Sequence, residues 1–149
     1  MNRHKQRTYW MICWLGMWGL TALSVQAQES VLSAREYFLT GAAKYKCNAC
    51  EYAVKDFTSA IDLQKDYAEA WYGRSQSYAC LSQYREALSD IKMAIRYNKE
   101  EPLYHEASGR FKSAIDDSLG AVRDFKAAIA LDSNIWQAWY GLGMEQFRM

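Results

Sequence analysis

Between residues 53 and 61 the side chains Ala53, Phe57, Ala60 and Ile61 fall at steps that place them on one side of a helix, while Lys55, Thr58 and Asp62 fall elsewhere. An amphipathic helix is predicted there. The pattern returns at Ala87, Ile91, Ala94 and Ile95, and again at Ala121, Phe125, Ala128 and Ile129, each set 34 residues after the last. Asp56, Asp90 and Asp124 keep the same interval, so nine columns contain four identical triples. The chain is an array of one repeated unit. A period of this length is that of a helix-turn-helix pair, which cannot bury its own apolar face and must stack on a neighbour.

The alanines carry a packing requirement. Two helices crossing at about 8–10 Å need short side chains at the contact, and a bulky neighbour such as Phe57 fills the adjacent groove. Helix starts are written in as well: Ser33 with Glu36, and Asp66 with Glu69, have the spacing that satisfies free amide donors at a helix beginning. Pro102, the single proline, sits where a helix can begin without needing its missing donor. Turns are expected at 47–50, 81–84 and 115–118. The prediction is seven helices and no strand.

In register, the units run from Ala34 to Tyr67, Ala68 to Glu101 and Pro102 to Ile135, with a half unit from Trp136 to Met149. The early aromatic column reads Tyr37, Trp71, His105, Trp139, and the small-residue column four further on reads Gly41, Ser75, Gly109, Gly143. These columns, with the Ala, bulky apolar and Ala positions of the second helix, resemble the tetratricopeptide repeat. The family's later tyrosine survives only as Tyr78, with Lys44, Lys112 and Gln146 elsewhere, and Lys65, Lys99 and Ser133 replace its unit-ending proline. The resemblance covers residues 34–149 without an insertion. It implies an all-α, right-handed superhelical array of three units plus a terminal helix.

The first 27 residues read differently. Arg3, Lys5 and Arg7 precede a largely apolar stretch from Tyr9 to Leu23, and Val25, Gln26 and Ala27 form a small-residue cleavage site. This is the layout of a signal peptide, predicting cleavage after Ala27, a short linker over 28–33, and an exported protein that is periplasmic or secreted. The apolar stretch is shorter than the roughly 20 residues a spanning helix needs, so no membrane span is expected after cleavage. Gln28 stands where a lipid-modified anchor would need cysteine. All 17 acidic residues lie beyond Ala27 and three of the 18 basic ones do not, leaving 15 − 17 = −2 on the processed chain. With both signs interspersed there is no basic stripe, and nucleic acid is not expected as a partner.

Cys47, Cys50 and Cys80 remain after processing. Cys47 and Cys50 span the first turn at a spacing that admits a local disulfide, which would close a very short loop worth only about 2 kcal/mol. The same spacing is that of thiol-disulfide oxidoreductases. Against that alternative, Cys47 ends a helix, Cys50 opens one, and no strand-helix-strand pattern surrounds them. A zinc site needs more ligands than one pair, and His105 is the sole histidine left, in an aromatic packing column. No set of base, nucleophile and orienting group is recognisable. Neither catalysis nor a metal or cofactor is expected.

Binding remains. The family's first helices line a concave groove where partner peptides lie. The resemblance carries that role onto Arg35, Phe38, Tyr45 and Lys46 in the first unit and Glu69, Tyr72 and Gln76 in the second. In the third unit it falls on Leu103, Glu106 and Arg110, and in the half unit on Gln137, Tyr140, Met144 and Phe147. Aromatic anchors with both charge signs suit an extended peptide or a partner helix. One subtype grips a terminal carboxylate with Lys and Asn at the fifth and ninth positions of its first unit. Phe38 and Ala42 stand there, so that specificity is not implied. Residues 136–149 keep so much apolar surface that a homodimer or docking to an envelope complex is expected through this end.

Overall fold

The computed structural model describes residues 32–148. The expected signal peptide, the linker up to residue 31 and Met149 lie outside the described residues. From Ser33 onward the chain forms one compact unit. Seven helices and no strand are present among the described residues: α1 (Ala34–Lys46), α2 (Cys50–Leu63), α3 (Ala68–Cys80), α4 (Tyr84–Tyr97), α5 (Pro102–Ala114), α6 (Ser118–Leu131) and α7 (Trp136–Arg148). Helices α1, α3, α5 and α7 begin at the 34-residue interval read from the sequence.

Local chemistry sets the helix ends. Ser33 and Glu36 form the reciprocal capping box at the start of α1. The second expected box does not form: α3 starts at Ala68 with Tyr67 as its cap and no side-chain cap bond. Asp66 thus falls one position too early to reach the free amides of the first turn. Glu101 and Asp117, neither of them anticipated, accept from the amides of Leu103 and Gly120 instead. Within each unit the chain reverses through one left-handed residue, Asn48, Ser82 or Asp116, with φ of 60°, 60° and 63°.

Each helix packs on its sequence neighbours, and α1 with α3, α3 with α5, and α5 with α7 also touch, whereas α2, α4 and α6 do not meet one another. The first helices of the units therefore converge and the second helices splay. That difference bends the array and puts the first helices on its inner face. The repeated alanines at 53, 60, 87, 94, 121 and 128 have no exposed surface, as close helix approach requires.

A ring plugs each of two inter-unit joints. A Cβ built on Gly41 would lie 3.1 Å from the Phe57 ring and one on Gly73 only 2.6 Å away; Gly109 and Gly141 stand in the same relation to Phe125, at 2.7 and 2.4 Å. In the middle unit the plug is the smaller Ile91, and the corresponding wall positions hold the larger Ser75 and Ala107, all three fully buried. Plug and wall vary in compensation.

The aspartate column has a partner column. Lys44 lies 2.6 Å from Asp56, and Lys112 lies 2.6 Å from Asp124. Tyr78 occupies that lysine position in the middle unit, and Arg74, one turn earlier, takes over with two bonds to Asp90 at 2.6 and 2.9 Å. Arg74 also reaches Thr58 in the preceding unit at 3.0 Å and lies 4.8 Å above the Trp71 ring. The early aromatic column is equally regular: the indole N–H groups of Trp71 and Trp139 donate to the carbonyls of Lys65 and Ser133 at 2.8 and 2.9 Å. His105 Nε2 makes the same bond to the Lys99 carbonyl at 2.9 Å. His105 is a packing substitute for tryptophan.

The expected Cys47–Cys50 bridge is not formed. Cys50 is bonded to Cys80, with Cα atoms 6.3 Å apart, and Cys47 is a free, exposed thiol. The bridge joins the start of α2 to the end of α3 and so staples the first unit to the second. Cys50 points into the core, where α3 returns alongside it, whereas Cys47 faces solvent at the end of α1.

Candidate functional site

The inner face carries two chambers in series. The first, about 460 Å³, is lined by Phe38, Ala42, Tyr45 and Lys46 of α1, by Glu69, Tyr72, Gly73 and Gln76 of α3, and by Phe57, Glu101, Leu103 and Tyr104. The second, about 730 Å³, lies between α5 and α7, with Leu103, Glu106, Arg110 and Ser113 facing Trp136, Gln137, Tyr140, Gly141, Met144, Glu145 and Arg148. Tyr72 and Leu103 border both. The two therefore adjoin on the inner face, meeting at these two side chains.

Twelve of the fourteen groove residues expected from the sequence line these chambers. Arg35 and Phe147 do not: both are exposed and border neither chamber. Trp136, Glu145 and Tyr104 also line the chambers, although the repeat positions do not point to them. Trp136 opens α7 one position before the expected set, and a glutamate like Glu145 carries no mark of burial in its sequence neighbourhood.

The chamber walls are aromatic and the charges are organised in depth. Tyr72 and Tyr104 meet with ring centroids 5.0 Å apart, and burial pushes both phenols above their ordinary range. Glu106 and Glu145 lie at the floor, 5% and 1% exposed. Burial raises the Glu106 carboxyl, and Arg110, 3.0 Å away, pulls it back. Glu145 is held low chiefly by the Ser113 hydroxyl, which donates to its Oε1, while its Oε2 has no hydrogen-bond partner among the described residues. Arg110 and Arg148 cover these carboxylates from the rim with half-exposed side chains. Arg110 also donates to Gln76 at 3.1 Å, tying α5 to α3 across the groove. Such a surface can bury apolar side chains in two places and offer ionic partners beside each. Among the described residues no group of three or more His, Cys, Asp and Glu is arranged to hold a metal.

No family profile matches the chain. It is 27% identical over 111 residues to DnaJ homolog subfamily C member 7 of Homo sapiens and 25% identical over 114 residues to its counterpart in Mus musculus, covering 74% and 76% of this chain. The chain spans only 22–23% of the length of those relatives. Among solved structures it is similar to the Arabidopsis OM64 TPR domain, with a TM-score of 0.77, 20% identity, and coverage of 78% of this chain and 97% of that one. The first TPR of Spaghetti (RPAP3), solved with the HSP90 peptide SRMEEVD, gives 0.76 and 19%, with 78% and 92% covered. The second TPR domain of human RPAP3, in complex with the HSP70 peptide SGPTIEEVD, gives 0.74 and 21%, with 76% and 94% covered. Repeat period, helix order and these likenesses agree that residues 34–148 have the tetratricopeptide-repeat fold.

Proposed function

We propose that this chain is an exported, non-catalytic scaffold that holds an extended segment of a partner protein in its inner groove. The observation that carries the reading is that two aromatic-lined chambers adjoin at Tyr72 and Leu103, which offers an extended segment apolar contacts at two separated points. Neighbours of the same fold were solved with peptides ending EEVD. This groove has Phe38 and Ala42 where the family subtype that grips a terminal carboxylate has Lys and Asn, so its partner is recognised by buried apolar side chains. The Cys50–Cys80 bridge supports export, because such bonds persist in oxidising compartments. With Cys50 engaged by Cys80, the Cys47/Cys50 redox reading is set aside.

The test is capture of partners from an envelope fraction by the wild-type chain and by Leu103→Glu and Met144→Glu, changes at half-exposed groove positions. A partner retained at full strength by both variants, with helicity intact, overturns the groove reading. Export is tested separately by intact mass: a protein from the envelope fraction that still carries residues 1–27 contradicts cleavage after Ala27.

A further inference from the structure

Helix α7 buries Ala138, Leu142 and Glu145 and turns Trp136, Trp139, Tyr140, Met144 and Phe147 outward, Phe147 being 92% exposed. The small-residue position that receives an aromatic plug at Gly41 and Gly109 is vacant at Gly143, where an added Cβ would meet nothing within 4 Å. Among the described residues this is a notch without its ring. Trp136, Tyr140, Gly143 and Phe147 follow at steps of four, three and four, the spacing of a helix-helix seam.

The seam is self-complementary. Laid antiparallel on a copy of itself, Trp136 meets the copy's Phe147 and Tyr140 meets the copy's Gly143, and both contacts recur on the other side of the two-fold axis. Trp139 and Met144 flank the pair. We propose that two copies of this chain associate through α7, each Tyr140 filling the other's Gly143 notch. A closed two-fold interface requires knob and hole on one surface, as here. A heterologous partner needs only one of the two. The exposed parts of the five large side chains amount to roughly 500–800 Å² per protomer, since such side chains present about 150–250 Å² each. That approaches the roughly 800 Å² per partner of a standard interface. Trp136, Tyr140 and Met144 also line the larger chamber, so pairing narrows its mouth.

Sedimentation equilibrium of the protein recovered from cells expressing the full chain tests this. A concentration-dependent dimer is expected. Gly143→Trp adds bulk where the monomer has open space, so it leaves helicity unchanged and abolishes pairing, and Phe147→Ala weakens pairing at least tenfold. In a Cys47→Ser background, Tyr140→Cys with Gly143→Cys gives an oxidised covalent dimer bridged 140 to 143. A wild-type protein that stays monomeric at about 100 μM, well above a micromolar Kd, overturns the proposal. So does a dimer indifferent to Gly143→Trp, or recovery only in a heteromeric complex. The two readings share residues of α7 but are told apart by Leu103, which lies outside α7: Leu103→Glu leaves the dimer intact.

Discussion

Gly141 and Gly143 lie two residues apart on one helix, and alanine at each should move stability in opposite directions. A Cβ at 141 would lie 2.4, 2.7 and 2.8 Å from three atoms of the Phe125 ring, and Phe125 is 1% exposed. The ring cannot retreat, because Gly109 bounds it on the other side at a distance that leaves no room for a Cβ either. Overpacking of this kind costs about 1–3 kcal/mol, offset by about 0.8–1 kcal/mol of helix propensity gained on replacing glycine. Gly141→Ala should therefore lose up to about 2 kcal/mol. Within one protomer Gly143→Ala meets no obstacle, and at protein concentrations low enough to keep the chain monomeric it keeps the propensity gain of about 0.8–1 kcal/mol. Urea unfolding followed by far-ultraviolet circular dichroism reads both, as midpoint shifts at constant slope. The compensation at Ile91 supplies the decisive arm: in a Phe125→Ile background the wall has space, and Gly141→Ala should become neutral or stabilising. Equal shifts of the same sign at 141 and 143, or a Gly141→Ala penalty unchanged by Phe125→Ile, would refute the plug-and-wall account.

Reducing the Cys50–Cys80 bridge, or Cys80→Ser, should lower stability by about 3–4 kcal/mol for a loop of this length; Cys47→Ser should be silent, and thermal melts with and without reductant check both. Asp90→Ala strands the Arg74 guanidinium in a part-buried site and should cost about 3–5 kcal/mol. Asp56→Ala should cost less, since the Lys44 contact lacks hydrogen-bond geometry, and a comparison of urea midpoints decides. Ser82→Gly should stabilise by about 1 kcal/mol, because a non-glycine residue at φ of 60° carries a left-handed penalty. The two floor carboxylates should act oppositely with pH. Glu145, lowered from 4.5, contributes stability that is present above 4.5 and lost as pH falls through its own lower value. Glu106, raised from 4.5, contributes most below 4.5 and loses that contribution as pH rises through its higher value. Glu145→Gln should flatten the acid limb of a stability profile and Glu106→Gln the limb above 4.5; the reverse assignment would contradict the geometry.

How far the sequence reached depended on the range of each interaction. The alanine and phenylalanine columns gave helix faces directly, because residues three and four apart must share a side whatever else the chain does. The Ser33–Glu36 cap was legible for the same reason, since three residues suffice to form it. Asp66 misled because a cap depends on where the helix begins to within one residue. Glu145 and Trp136 were missed as groove residues because lining a cavity depends on the neighbouring helix.

The sequence alone determined the repeat, its register, the seven helices and which side of each is apolar. Only the tertiary structure decided that Cys50 bonds to Cys80 rather than Cys47, that Arg74 replaces a lysine opposite Asp90, that two chambers adjoin at Tyr72 and Leu103, and that Arg35 and Phe147 line neither. Periodicity fixes the direction of a side chain from its own helix. What it meets there depends on residues 16 to 34 positions away, in the other helix of its own unit or in a neighbouring unit, brought close by hairpin closure and stacking.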